Sequence, residues 1–166
     1  MMLMIQPRPS EFQESEKSFS VGKNGYISID FTPMIKPQEN SPYVADIQNR
    51  KNIIVTMKSV GDILDLDSRS QFDSEKDSEG FFIQYQGQNE DDPIKVLRMN
   101  KIPGEQYKFS YCEVGDDEQV GNVTSMDLTY GEVRNIQILI EYSVPLLLGW
   151  HCIYNPSVIQ ESSTEY

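Results

Sequence analysis

The sequence predicts an α+β protein: about eight β-strands, divided four and four by a short helical turn and followed by one long C-terminal helix. Three observations carry this. Short runs rich in β-branched and aromatic residues alternate with period two and are punctuated by Gly, Asn and Pro, the pattern of half-buried strands. Residues 59–64 (SVGDIL) favour a turn at best, because Gly61 and the nearby acids limit a helix there. From Thr129 onward apolar residues recur every three or four positions instead, which is the period of an amphipathic helix.

The strands are expected at 3–6, 18–21, 26–31, 52–58, 81–85, 94–102, 107–114 and 122–128. Lys23-Asn24-Gly25 is a turn signal that pairs 18–21 with 26–31 as a hairpin, placing Ile27, Ile29 and Phe31 on one face and Tyr26, Ser28 and Asp30 on the other. Pro103-Gly104 joins the strands on either side of it by a tight turn. Thr129 and Glu132 fit a capping box at the start of the final helix. Val133, Ile136, Ile140, Val144 and Leu147 form its apolar stripe, and Leu139, Leu146 and Leu148 widen it. Pro145 is expected to kink or interrupt that helix, since it removes an amide and crowds the preceding turn. Asn155-Pro156 is expected to end it. One domain over 1–156 with a flexible acidic tail at 157–166 follows from this division.

A chain of 166 residues suits one domain, and Leu, Ile, Val and Phe make up about a quarter of it, enough for a folded core. No apolar run is long enough to cross a bilayer, and the opening MMLMIQPRP lacks the basic flank and apolar stretch of a secretory signal. Cys112, Cys152 and a single His151 cannot build the common metal clusters, so neither metal nor cofactor is expected. His151 also lacks a neighbouring acid or a nucleophile in a strained turn, which argues against an enzyme. The net charge of −12 speaks against a polynucleotide ligand, but the acids cluster at 72–92, at 113–118 and in the tail. Two stretches, 50–58 and 95–108, are locally basic.

Leu146, Leu147, Leu148 and Trp150 carry apolar surface round most of the final helix, which fits either a helix held between two sheets or self-association. Ile140, Val144, Leu147, Leu148 and Trp150 are the candidate subunit contacts.

Leu147-Leu148-Gly149-Trp150-His151, preceded by Pro145, resembles the closing signature of the Whirly family of single-stranded DNA-binding proteins of plant organelles. Gln6-Pro7-Arg8-Pro9-Ser10-Glu11-Phe12 is similar to that family's Pro-Arg-Pro segment. Residues 25–31 resemble its second hairpin, 60–66 its short middle helix, and Lys95-Val96-Leu97-Arg98 the strand after its variable loop. The resemblance covers roughly 3–156. It implies two four-stranded antiparallel sheets packed against each other, a short helix between them and a long C-terminal helix, assembled as a homotetramer. The family's Lys-Gly-Lys-Ala-Ala-Leu stretch has no counterpart here, where Met1-Met2-Leu3-Met4-Ile5 stands in its place.

The implied ligand is single-stranded DNA bound with little sequence preference, in a mitochondrion or plastid, with nucleus or cytoplasm as alternatives. Such a ligand needs stacking platforms with cations nearby, because every base has a face and every linkage a charge. Lys23, Tyr26, Arg50, Lys51, Lys58, Lys95, Arg98, Lys101, Tyr107 and Lys108 are the candidates. The stripe of Tyr107, Phe109 and Tyr111 also reads as core, and Tyr26, facing away from Ile27 and Ile29, reads equally as ligand contact or surface. Two other functions fit the same residues. One is RNA binding and annealing, as in the related kinetoplastid mitochondrial RNA-binding proteins; the other is an acidic oligomeric scaffold that has lost its ligand. Glu161 and Glu165 in the tail are expected to compete with phosphate for the cations.

Overall fold

Alternating apolar residues build strands along most of the chain. The computed structural model describes residues 1–15, 18–66, 81–87, 89, 92–104, 106–115 and 120–150. Its first half holds β1 (Met2–Arg8), β2 (Glu11–Ser15), β3 (Ser18–Lys23), β4 (Tyr26–Thr32), the short pair β5 (Met34–Ile35) and β6 (Val44–Ala45), a 3₁₀ turn at Ile47–Asn49, and β7 (Lys51–Thr56). Helix α1 (Met57–Leu64) leads to β8 (Phe81–Tyr85), β9 (Ile94–Ile102), β10 (Gln106–Val114), β11 (Thr124–Thr129) and helix α2 (Tyr130–Leu147).

All ladders among the described residues are antiparallel. One sheet has the order β1-β4-β7, with Ile29 opposite both Ile5 and Ile53, and the other has the order β11-β10-β9-β8. Their inner faces meet in one core, in which Ile27, Ile29, Phe31, Ile53 and Val55 of the first sheet pack with Leu97, Met99, Phe109 and Tyr111 of the second. Phe31 and Tyr111 meet ring to ring at 6.1 Å. Val60 and Ile63 of α1 and Val133, Ile140 and Leu147 of α2 complete the cluster.

The Asn24-Gly25 turn does not form. Strand β3 runs on into β4, and their partners are β2 and β1 respectively, so two long interrupted arms lie side by side. An Asn-Gly hairpin turn needs positive φ at its glycine, and among the described glycines that conformation belongs to Gly104 and Gly149. The first sheet therefore has three strands in its ladder, and the β2–β3 hairpin extends from it.

Residues 57–64 form a full α-helix rather than a turn, and this takes Met57 and Lys58 out of the preceding strand. Val60 and Ile63 face the core, while Gly61 points to solvent, where it costs only propensity. The carbonyls of Ile63 and Leu64, in the last turn of the helix, accept from the fully buried Gln137 side-chain amide at 3.1 and 3.4 Å, and that of Ile63 also accepts from the Leu66 amide at 3.4 Å.

Helix α2 begins with the expected capping box between Thr129 and Glu132 and contains Pro145 in its last turns. It ends at Leu147, earlier than the expected Asn155-Pro156, because Gly149 takes φ of 77° and its amide donates to the Leu146 carbonyl. Helical backbone resumes at Trp150. Asn155-Pro156, His151, Cys152 and the tail at 157–166 lie outside the described residues, as does most of the acidic segment at 72–92.

Candidate nucleic-acid interface

Three distant segments meet at one point. The Ser10 hydroxyl, at the break between β1 and β2, accepts from the Gly25 amide at 2.9 Å and donates to the Leu147 carbonyl at 2.5 Å. Gly25 is required there because a Cβ would lie 2.5 Å from the Leu147 carbonyl oxygen. A Cβ on Gly149 would likewise run into the Phe12 ring. The Pro-Arg-Pro-Ser segment, Asn24-Gly25 and the Leu-Leu-Gly sequence are thus parts of a single junction.

That junction forms one end of an open groove of about 910 Å³. Its walls come from Lys23, Asn24, Gly25 and Tyr26 where β3 passes into β4, from Ile54, Thr56, Met57 and Lys58 where β7 passes into α1, and from Tyr85, Leu147 and Leu148. Lys23, Tyr26 and Lys58 are the expected ligand contacts it brings together, and Leu147 and Leu148, expected as subunit contacts, line it too. Tyr26 is half-buried and lines the groove, and Lys58 is exposed on the first turn of α1. Tyr85, Ile54 and Met57 were not foreseen. The aromatic run at 81–85 was the available signal for Tyr85, but nothing in it indicates which ring faces the groove.

The remaining candidates lie elsewhere. Lys51 bridges to Glu113 across the two sheets at 3.6 Å, and Glu113 also accepts from the Tyr111 hydroxyl at 2.6 Å. Burial first, and then that carboxylate, push the Tyr111 hydroxyl well above its ordinary pKa, so it stays a donor. Arg50 lies 3.9 Å from Asp30, and Lys23 itself pairs with Glu11 at 3.0 Å on the exposed arm. Tyr107 is 5% exposed within the core, so its ring offers no platform to a ligand. Lys95 and Lys101 sit at opposite ends of β9 with buried Leu97 and Met99 between them, so they form no continuous surface. Arg98 and Lys108 are exposed on the outer face of the four-stranded sheet.

The proposed subunit contacts divide as well. Ile140 is 0% and Leu147 1% exposed inside the protomer's own core, so neither is available to a partner. Val144 is half-buried. Leu148 and Trp150 are exposed, as are Ile138, Leu139 and above all Tyr142 at 82%. The three-and-four periodicity selects the face that packs inward, which is why Ile138, Leu139 and Tyr142 were not among the expected contacts, whereas Leu148 and Trp150 were.

Among the described residues no group of three His, Cys, Asp or Glu could hold a metal ion, and no helix is long and apolar enough to cross a membrane. What remains is an α+β protein of two packed antiparallel sheets braced by a C-terminal helix, with a groove where the helix ends. Solved structures share this arrangement. The chain is similar to the plant transcriptional regulator PBF-2, with a TM-score of 0.69 and 19% identity over 93% of this chain and 80% of that one. It is also similar to WHY3 from Arabidopsis thaliana, with a TM-score of 0.68 and 20% identity over 98% and 90% of the two chains. For WHY1 from the same plant the TM-score is 0.66, with 16% identity over 99% and 88%. These are Whirly proteins, and the chain has the Whirly fold. No family model and no curated protein matches it in sequence.

Proposed function

We propose that the protein binds single-stranded nucleic acid, DNA in the first instance, with little sequence preference and without catalysing a reaction. The observation that carries this reading is the groove, where two tyrosines, apolar walls and two lysines converge on a Whirly fold. Tyr26 and Tyr85 supply stacking faces, Ile54 and Met57 an apolar floor, and Lys58, with no carboxylate in ion-pair range among the described residues, a phosphate contact. Lys23 has to leave Glu11 to serve in the same way, a small cost for an exposed pair. Assembly as a homotetramer uses the outward row of Ile138, Leu139, Tyr142, Leu148 and Trp150. Action in a mitochondrion or plastid belongs to the same reading.

The acidic scaffold has one observation in its favour: Lys23, Arg50 and Lys51 are all neutralised within the fold. Titration of labelled dT, rU and duplex oligonucleotides by fluorescence anisotropy separates the readings. Binding to dT, weaker binding to duplex and loss of affinity in Tyr26→Ala support the single-strand reading. RNA preference is read from the rU arm, and the absence of binding to all three favours the scaffold.

A further inference from the structure

The two sheets are open to each other along one side. Among the described residues β1 pairs only with β4 and so ends the first sheet there, and β11 pairs only with β10 and ends the second. Between these two strands lies a second open groove, of about 550 Å³, walled by the first half of α2. It has no lining residue in common with the groove of Lys23 and Tyr26. The lining takes Met2 and Leu3 of β1, and Met126, Asp127 and Leu128 of β11, in unbroken succession. Successive side chains of a strand point to opposite faces, so this groove meets the edges of both strands, where backbone groups have no ladder partner among the described residues. Edge strands usually carry a charge or a proline that keeps other strands off, yet β1 begins Met-Leu-Met-Ile, with neither.

The polarity of the groove is as distinctive as its edges. Met34, Met126, Ile136 and Leu139 give it apolar walls, and unbranched thioether side chains adapt to partners of varied shape. Its acidic and basic side chains are two carboxylates, those of the exposed Asp127 and Glu132; no Lys or Arg lines it. Neither acid has a cation in ion-pair range among the described residues. The capping box uses Oε2 of Glu132, and Oε1 has no hydrogen-bond partner among the described residues. Such a rim repels a phosphate chain and attracts a cationic one.

We propose that the edge of β1 takes up an added strand from a partner protein, an extended segment of alternating apolar and basic residues. The partner's backbone pairs with β1, its apolar side chains enter the groove, and its cations lie against Asp127 and Glu132. Main-chain hydrogen bonds hold the segment, while the apolar walls and the two carboxylates select it.

The test is fluorescence anisotropy with the full chain and a labelled seven-residue peptide of alternating valine and lysine, which matches β1 in length. Binding is expected at low salt. Methylating the peptide's backbone nitrogens removes its ladder donors and keeps its side chains, and should weaken binding about tenfold or more. Replacing its lysines with glutamates should abolish binding. In the protein, Asp127→Asn combined with Glu132→Gln should weaken binding about fivefold, the scale of exposed charge pairs. Met2→Lys, which gives the edge the charge it lacks, should weaken it as well. A parent peptide that does not bind, a methylated or glutamate peptide that binds equally well, or protein variants with unchanged affinity would each overturn the proposal. Sedimentation of the chain without peptide tests the other occupant, a second copy. Met2→Lys should sediment as the wild type does, and a smaller assembly would assign the edge to self-association and overturn the partner reading.

Discussion

Ser10 shows how much one hydroxyl can hold. Its removal in Ser10→Ala leaves the Gly25 amide and the Leu147 carbonyl without their partner in a buried place, at about 1–3 kcal/mol for each unsatisfied group. A lower urea midpoint with an unchanged m-value is the expected outcome, since the surface exposed on unfolding stays the same. Glu132 is a second single-residue case, with a pH signature. The Thr129 backbone amide and then its side-chain hydroxyl hydrogen-bond to the carboxylate and hold its pKa below the ordinary glutamate value. A depressed native pKa means stability that is present above the unfolded value and lost as the pH falls through the native one. Thermal melts at falling pH should show this loss in the wild-type chain and a smaller one in Glu132→Gln, which is already weaker at neutral pH.

At the level of the element, α2 has two faces with opposite roles, and the two kinds of substitution should separate. Leu147→Asp places a charge in the protomer's core and should cost several kcal/mol of folding stability. Tyr142→Glu changes a residue that is 82% exposed, so the melting temperature should hold while sedimentation shows a smaller assembly. A Tyr142→Glu chain that sediments as the wild type does would remove Tyr142 from the interface. The same helix shows what the sequence can and cannot disclose. Its start was legible because Thr129 and Glu132 are local, and strands 81–85 and 94–102 were legible because alternation is local too. Its end was misplaced although its signal is local, because the apolar residues on both sides of Gly149 read as continued helix while the glycine closes the helix through its own amide to Leu146. The Asn24-Gly25 pair was misleading for a different reason: a glycine needed so that the distant Leu147 backbone can approach looks like a turn when only its neighbours are visible. In α1, tertiary packing of Val60 and Ile63 and the Gln137 cap outweighed the weak propensity around Gly61. The groove was half visible through Lys23, Tyr26 and Lys58. Ion pairs such as Lys51 to Glu113 span long stretches of chain and leave no trace in a local pattern.

For the whole molecule, the balance of charge sets how binding responds to salt. A net charge of −12 leaves few cations to replace counterions, and three of the candidate cations are paired with acids inside the fold. With about three phosphates neutralised, the logarithmic salt slope for a single strand should be on the order of −2. Anisotropy titrations across a range of salt concentrations measure it directly, and a slope several times steeper would contradict a stacking-led mode of binding. The junction that shapes the groove also has a consequence for biosynthesis. Ser10 and Leu147 lie 137 residues apart, so the hydrogen bond between them closes almost the entire described chain into one loop. Contacts of such separation form late, after the entropy of closure has been met. During synthesis β1 to β7 leave the ribosome well before Leu147 does, and until it arrives the groove lacks the wall that Leu147 and Leu148 supply. The first sheet can form on the nascent chain, but the groove can form only after the second half has been made.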